Sequence, residues 1–196
     1  CWSLVGSEMC IRDRIKSMKT FTEFLKGKNT LKSSIEFKIF NSLNKLKCDY
    51  FIHEHPALKT VEDSKIFRGI MDGGHSKNLF LRDKKKNNFL ITTNEDQKID
   101  LKNLEKKLVT SRLSFGSPDR LYEFLGVKPG SVSPFALIND HKKRVSFYID
   151  KNLLNETILN FHPLTNNLTI SLKTKDFEKF LQSIKSCLLY TSDAAD

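Results

Sequence analysis

Two β-prone runs, Asn78–Arg82 and Phe89–Thr93, flank one short polar turn, Lys84-Lys85-Lys86-Asn87-Asn88. A turn this short joins antiparallel strands, because a parallel pair needs a crossover of about a dozen residues or more. The hairpin therefore argues against a doubly wound, all-parallel sheet. Other segments agree. Phe135–Ile138 and Val145–Ile149 read as two further strands around a polar turn, Tyr50–His53 is short and β-prone, and Leu168–Leu172 alternates apolar with polar residues.

Helical periodicity fills the intervals. Leu31, Ile35, Ile39, Leu43 and Leu46 recur at helical spacing between Thr30 and Lys47, with Thr30 as the expected N-cap. Thr60 and Asp63 mark the start of a short helix. Asp100 is placed to cap a helix carrying Leu101, Leu104 and Leu108. Ser117-Pro118 opens another and Gly126 closes it, the usual order of proline first and glycine last. Thr174 is the expected cap of a final helix with Phe177, Phe180, Leu181 and Ile184 on one face. The fold expected is α/β: a single domain with a mixed, largely antiparallel sheet surrounded by helices. No G-x-G-x-x-G or Walker A loop is present.

The ends read differently. Ser3–Asp13 and Cys187–Asp196 look like the two orientations of one transposase-type sequencing adapter translated in frame. Residues 1–17 and 187–196 are therefore expected to lie outside the fold, with residues 18–186 forming the domain. Three of the four cysteines fall in those flanks, leaving Cys48. One thiol makes neither an internal disulfide nor a cysteine-based zinc cluster, so a reducing, cytoplasmic setting is expected. No apolar run is long enough for a membrane helix, and no membrane partner is expected.

The whole chain carries a net charge of +10. Without the flanks, three fewer basic and four fewer acidic residues leave +11. Such an excess favours a polyanionic partner, and Lys84, Lys85 and Lys86 are the expected contacts to RNA. A lysine-rich composition explains the same excess without any partner, so charge alone does not decide.

Four segments offer chemistry. Gly73-Gly74-His75-Ser76 reads as a flexible loop before a strand, and Lys77 shares the period-2 face of Leu79 and Leu81. A lysine there needs an anionic or carbonyl partner unless it snorkels to water, which is the simpler reading of the pattern. Lys128–Pro134 contains Pro129-Gly130, suited to a type II turn. Such a loop either presents backbone N–H groups to an oxyanion or merely connects two elements. Asn139-Asp140 ends an apolar run, as turns often do. His162, between Phe161 and Pro163, suits either proton chemistry or a structural hydrogen bond. The other histidines show no metal-binding spacing, so no metal is expected.

In this order and spacing the segments resemble the YbaK-like editing-domain family related to the prolyl-tRNA synthetase insertion domain. The nearest branch is the free-standing one that acts on alanyl-tRNA(Pro). The matching text is His55-Pro56, Thr60–Asp63, Lys77–Asp83, Arg112–Phe115, Leu125–Val127, Pro129–Asp140 and Phe161–Leu164, with Asn166 and Thr169. It covers about residues 50 to 182. Phe115-Gly116-Ser117 departs from the Phe-Ala-Ser of much of the family, and Gly116 is expected to loosen that strand end.

The resemblance implies hydrolysis of the ester joining a wrong amino acid to the 3′ end of tRNA, most simply alanine on tRNA(Pro). It implies Lys77, Gly130 and His162 as the catalytic set. Ser131, Val132, Ser133, Pro134 and Asn139 are the expected substrate contacts. No metal, cofactor or covalent enzyme nucleophile is implied. Mischarged tRNA(Pro) is the implied partner, with prolyl-tRNA synthetase or an elongation factor as further ones. Two alternatives stand beside this reading: a deacylase for cysteinyl-tRNA(Pro), and a catalytically silent RNA-binding or synthetase-associated module.

Overall fold

The computed structural model describes residues 18–19, 35–57, 65, 71–185 and 189–191. The expected Thr30 cap and the Thr60–Asp63 helix start lie outside these residues. Nine strands are described: β1 (Met18–Lys19), β2 (Tyr50–Glu54), β3 (Gly74–Arg82), β4 (Asn88–Asn94), β5 (Ser114–Phe115), β6 (Val145–Asp150), β7 (Ile158–Phe161), β8 (Leu168–Lys173) and β9 (Leu189–Thr191). Five helices accompany them: α1 (Phe37–Lys45), α2 (Leu101–Lys107), α3 (Pro118–Leu125), α4 (Lys151–Leu154) and α5 (Thr174–Ser183).

The strands form one sheet in the order β1-β2-β8-β7-β3-β4-β6-β9, with β5 against β3. The pairs β1–β2, β2–β8, β7–β8, β3–β4 and β3–β5 are antiparallel; β3–β7, β4–β6 and β6–β9 are parallel. The expected mixed, largely antiparallel sheet is the one found. The hairpin forms as expected, but β3 begins at Gly74 rather than Asn78. The Gly73–Ser76 loop is thus mostly strand, because Gly74 and His75 pair in parallel with Leu159 and Asn160 of β7. That partner lies more than eighty residues away, which local patterning does not register.

Each face of the sheet carries its own core. One face packs Phe80, Leu90, Phe147 and Ile149 beneath Ile39 and Leu43 of α1, Leu125 of α3, and Phe177 and Phe180 of α5. The opposite face holds Leu81, Phe89 and Ile91 against Leu104 of α2 and Leu113. Phe135 sits among aromatic rings, edge-on to Phe161, Phe177 and Phe180 at 5.8, 6.3 and 5.0 Å.

The caps largely follow the sequence. Asp100 accepts from the Lys102 amide, and Ser117 accepts from the Arg120 amide. Gly126 closes α3 in the left-handed region at φ 66°. Two expectations are corrected. Phe135–Ile138 is no strand but part of a 3-10 turn, Pro134–Asn139. Pro134 presets φ, and the Ser133 hydroxyl accepts from the Phe135 amide. A short continuous apolar run does not distinguish a buried strand from a buried helical turn. Thr174 is the first residue of α5, not its cap; its hydroxyl donates to the Glu156 carbonyl instead.

β9 lies within the stretch expected to fall outside the fold. It pairs in parallel with β6, Leu189 opposite Tyr148 and Thr191 opposite Asp150.

Gly116 does the opposite of loosening its strand. Its amide donates to the Phe80 carbonyl at 2.9 Å, and a Cβ there would lie 2.4 Å from the Phe80 ring. The glycine lets the chain cross a buried aromatic side chain. Gly116→Ala is expected to lower stability by about 1–3 kcal/mol, as overpacking does. The check is the urea midpoint of the variant against the parent chain.

Candidate functional site

Strand ends from five chain segments converge on a small pocket of about 40 Å³. Its walls include His55 after β2, Ser76 and Asn78 of β3, Glu95 just after β4, Asn160 of β7 with His162 just beyond it, and Thr169 of β8. The sheet order explains the convergence. The antiparallel β2–β8 and β8–β7 pairs bring the end of β2 and the start of β8 beside the end of β7, and the parallel β7–β3 pair adds β3.

Hydrogen bonds fix the rings. His162 Nδ1 lies 2.7 Å from the Leu168 carbonyl. A carbonyl only accepts, so Nδ1 carries the proton and the neutral ring keeps Nε2 as an acceptor. His55 Nδ1 likewise donates to the Pro56 carbonyl at 2.8 Å, and its Nε2 meets the Thr169 hydroxyl at 2.9 Å. The His55 and His162 rings are 5.7 Å apart. Burial lowers the pKa of both, partly offset by their carbonyl partners. Both rings are therefore neutral near pH 7, and they face a pocket whose lining also includes the buried Glu95 side chain.

Behind the pocket runs a buried polar chain. Asn160 Nδ2 donates to the carbonyls of Asp72 and Gly74, at 2.9 and 3.4 Å. The Ser171 hydroxyl donates to Asn160 Oδ1. His53 Nε2, 2.9 Å from Ser171 Oγ, must then be the donor of that contact. The chain ties β2, β8, β7 and β3 together beneath the site.

His53 makes this arrangement sensitive to acid. Burial, with His55 and His75 nearby, pushes its pKa down to about 4 from 6.5. Between those values the unfolded chain takes up a proton that the native state refuses, so stability falls as pH drops through that window. Above 6.5 both states are neutral and His53 contributes no pH dependence. Its share between pH 6.5 and 5 is roughly 1–2 kcal/mol, after allowance for solvent screening. Urea midpoints at pH 7 and 5 are expected to converge in His53→Asn by that share, whatever the variant's absolute stability.

The sequence-expected residues are only partly brought together. His162 lines the pocket. Lys77 does not: it shares the Leu79–Leu81 face, as expected, and its ammonium donates to the Gln97 carbonyl. Its neighbours Ser76 and Asn78 line the pocket instead. Gly130 takes φ 86°, and the Ser131 amide bonds the Lys128 carbonyl at 3.0 Å, forming the expected turn. Ser133 is buried, as is Pro134, while Ser131 is half-buried and Val132 packs partly against the core. This loop adjoins the pocket wall through the Phe135–Phe161 ring contact. Asn139 is engaged elsewhere: its Nδ2 donates to the Leu125 carbonyl at 2.9 Å, and its Oδ1 accepts from Lys38 at 3.4 Å, bracing the end of α3. Lys84, Lys85 and Lys86 are exposed at the far end of the β3–β4 hairpin.

Sequence reasoning gave no role to His55, Ser76, Asn78, Asn160 or Thr169. One signal was available. The alternation of β8 puts Thr169 and Ser171 on one face, and that of β2 aligns His53 with His55. Among the described residues no cluster of three or more acidic, histidine or cysteine side chains is arranged to hold a metal.

Comparison with known proteins agrees with this geometry. Residues 55–180 match the aminoacyl-tRNA editing domain family. Prolyl-tRNA editing protein ProX of Acetoanaerobium sticklandii is 37% identical over 146 residues, covering 74% of this chain and 89% of that protein. Prolyl-tRNA synthetase associated domain-containing protein 1 of Danio rerio is 32% identical over 142 residues, covering 71% of this chain and 77% of that protein. Among solved structures, one described provisionally as a trans-editing enzyme for prolyl tRNA synthetase superposes with a TM-score of 0.61 at 16% identity, covering 83% of this chain and 99% of its own. At that identity the likeness shows a shared fold. The match across most of the pocket-forming chain, together with the ProX relative, establishes the relationship: this chain belongs to the aminoacyl-tRNA editing domain family.

Proposed function

We propose that the chain hydrolyses mischarged tRNA(Pro), with alanyl-tRNA(Pro) as its preferred substrate. As a member of the editing family it is an aminoacyl-tRNA deacylase. The prolyl-tRNA editing relatives support tRNA(Pro) as the substrate and prolyl-tRNA synthetase as an associate, in a cytosolic setting. The observation that carries alanine is the size of the pocket, about 40 Å³ between His55, His162 and Thr169. A close-packed wall rejects a larger side chain more easily than a smaller one, so a tight site spares correctly charged prolyl-tRNA.

In this reading water attacks the ester carbonyl with help from the terminal ribose hydroxyl of the tRNA. The protein contributes position and oxyanion stabilisation. The Gly130–Pro134 loop supplies amides toward the developing oxyanion. Lys77 leaves the Gln97 carbonyl to hold the terminal nucleotide or the reacting ester. His162 shapes the pocket and accepts a hydrogen bond at Nε2. Asn139 acts as a brace for the loop's neighbour, α3.

The test is deacylation of purified alanyl-, cysteinyl- and prolyl-tRNA(Pro) by the same preparation. The expected order is alanyl fastest and prolyl slowest. A faster rate on cysteinyl-tRNA(Pro) transfers the assignment to cysteine. No hydrolysis of any of the three leaves the silent module as the better reading.

A further inference from the structure

At the far end of the β3–β4 hairpin lies a larger open groove of about 590 Å³. Its lining includes Lys86 from the hairpin turn, Phe124 from α3, and Lys143 and Arg144 before β6. Among the described residues no acidic side chain lines it.

The cations in the groove and Arg120 beside it are held in place. The Arg120 and Arg144 guanidinium groups both lie over the Phe124 ring, at 4.9 and 4.1 Å from its centre. Arg120 also donates to the Lys86 carbonyl at 2.7 Å and to Asn88 Oδ1 at 2.6 Å, fixing the hairpin turn. Lys143 donates to the Ile184 carbonyl, a neutral partner. The acidic neighbour Glu123 lies 3.6 Å from Arg144 with both side chains well exposed, a contact that neutralises little. Pre-ordered guanidinium groups lose less entropy when they meet phosphates.

The spacing suits a nucleic acid that ends in the pocket. From Ser76–Asn94 to Arg82–Asn88 the hairpin runs six residue steps, or about 20 Å at the usual strand rise. A tRNA whose unpaired 3′ end enters the pocket must carry the first phosphates of its duplex a comparable distance away.

We propose that this groove is a second RNA-binding surface, which grips the phosphate backbone of the acceptor stem while the 3′ end occupies the pocket. The proposal rests on the editing reading for the identity of the RNA. It widens the expected contact from Lys84–Lys86 to a surface built from three separate elements. The local charge, two lysines and one arginine in a described lining without a carboxylate, favours a phosphate backbone over a protein partner for it.

The test compares two triple variants that lose the same charge. One is Lys86→Gln, Lys143→Gln and Arg144→Gln. The other is Lys45→Gln, Lys173→Gln and Lys175→Gln, exposed positions outside the groove. Binding of uncharged tRNA(Pro) and of an acceptor-stem hairpin is measured across a salt series. The groove variant is expected to bind about 10-fold more weakly or worse, with its log–log salt slope reduced by about 2–3. The second variant is expected to change affinity by less than about 3-fold. The kcat of this second variant on saturating alanyl-tRNA(Pro) should stay at the parent value, whereas the groove variant should show a KM for that substrate raised about as much as its RNA affinity is weakened. Equal weakening in both variants overturns the proposal, because net charge then explains binding. Unchanged RNA affinity in the groove variant also overturns it, including the case where association with prolyl-tRNA synthetase is lost instead. If the groove variant unfolds, the pair Lys86→Gln and Lys143→Gln, which alters only exposed ammonium groups, gives the same reading with a smaller slope change. Uncharged RNA is used so that failure of the editing reading, seen as no deacylation, leaves this result readable.

Discussion

Lys77→Ala is expected to cut deacylation of alanyl-tRNA(Pro) by about 100-fold or more, the usual size of losing one preorganised charge-stabilising donor. Lys77 sits between Ser76 and Asn78, which line the pocket, on a strand held on both sides. Its ammonium donates to one carbonyl, that of Gln97, and has three protons to give. Exchange of that carbonyl for a phosphate or ester oxygen replaces a neutral partner with a stronger one. The competing role is a brace, since Thr93 also bonds Gln97 and the Lys77 contact secures the same turn after β4. The two roles separate experimentally. A lost brace lowers stability by about 1 kcal/mol, seen as a lower unfolding midpoint, and leaves turnover near normal. A lost reactive group lowers kcat in a protein of unchanged midpoint. Near-normal turnover in Lys77→Ala removes the lysine from the mechanism.

His162→Ala is expected to relax discrimination rather than abolish chemistry. The ring fills one wall of a 40 Å³ pocket, is anchored through Nδ1 to the Leu168 carbonyl, and faces the His55 ring. Truncation opens room next to the bound amino acid. The ratio of initial rates on alanyl- and prolyl-tRNA(Pro) should then fall by about 10-fold or more, the scale on which a pocket discriminates one or two carbons. Some alanine deacylation should survive, because the ribose hydroxyl can assist water without the imidazole. Total loss of activity with the fold intact places His162 in the chemistry itself. An unchanged rate and ratio make it a structural residue and move the pocket assignment elsewhere.

These two residues show how differently the sequence exposes a site. Lys77 was legible in its facing, because strand alternation is a local property and Leu79 and Leu81 fix the phase. Its distance from the pocket lining was not, because the pocket opens beside its neighbours. His162 was legible as a constrained histidine, but its tautomer depends on Leu168, brought close by the β7–β8 hairpin. Asn139 looked like a polar group at a strand end and proved to brace α3. Phe135–Ile138 reads as a strand because it is a short apolar run, but Pro134 and Ser133 start a 3-10 turn there.

The sequence by itself determined the hairpin around Lys84–Asn88, the caps at Asp100 and Ser117, the left-handed close at Gly126, the turn at Gly130 and the mixed character of the sheet. Each depends on interactions within a few residues: a side chain reaching the next turn, a φ only glycine adopts readily, or a loop too short for a crossover. Tertiary structure decided the rest. The parallel pairings β3–β7 and β4–β6, the need for Gly116 over Phe80, and the gathering of His55, Ser76, Asn160, His162 and Thr169 into one pocket all join residues far apart in the chain. Those contacts form only when burial of both sheet faces selects one strand order, and that selection is a property of the packed domain as a whole.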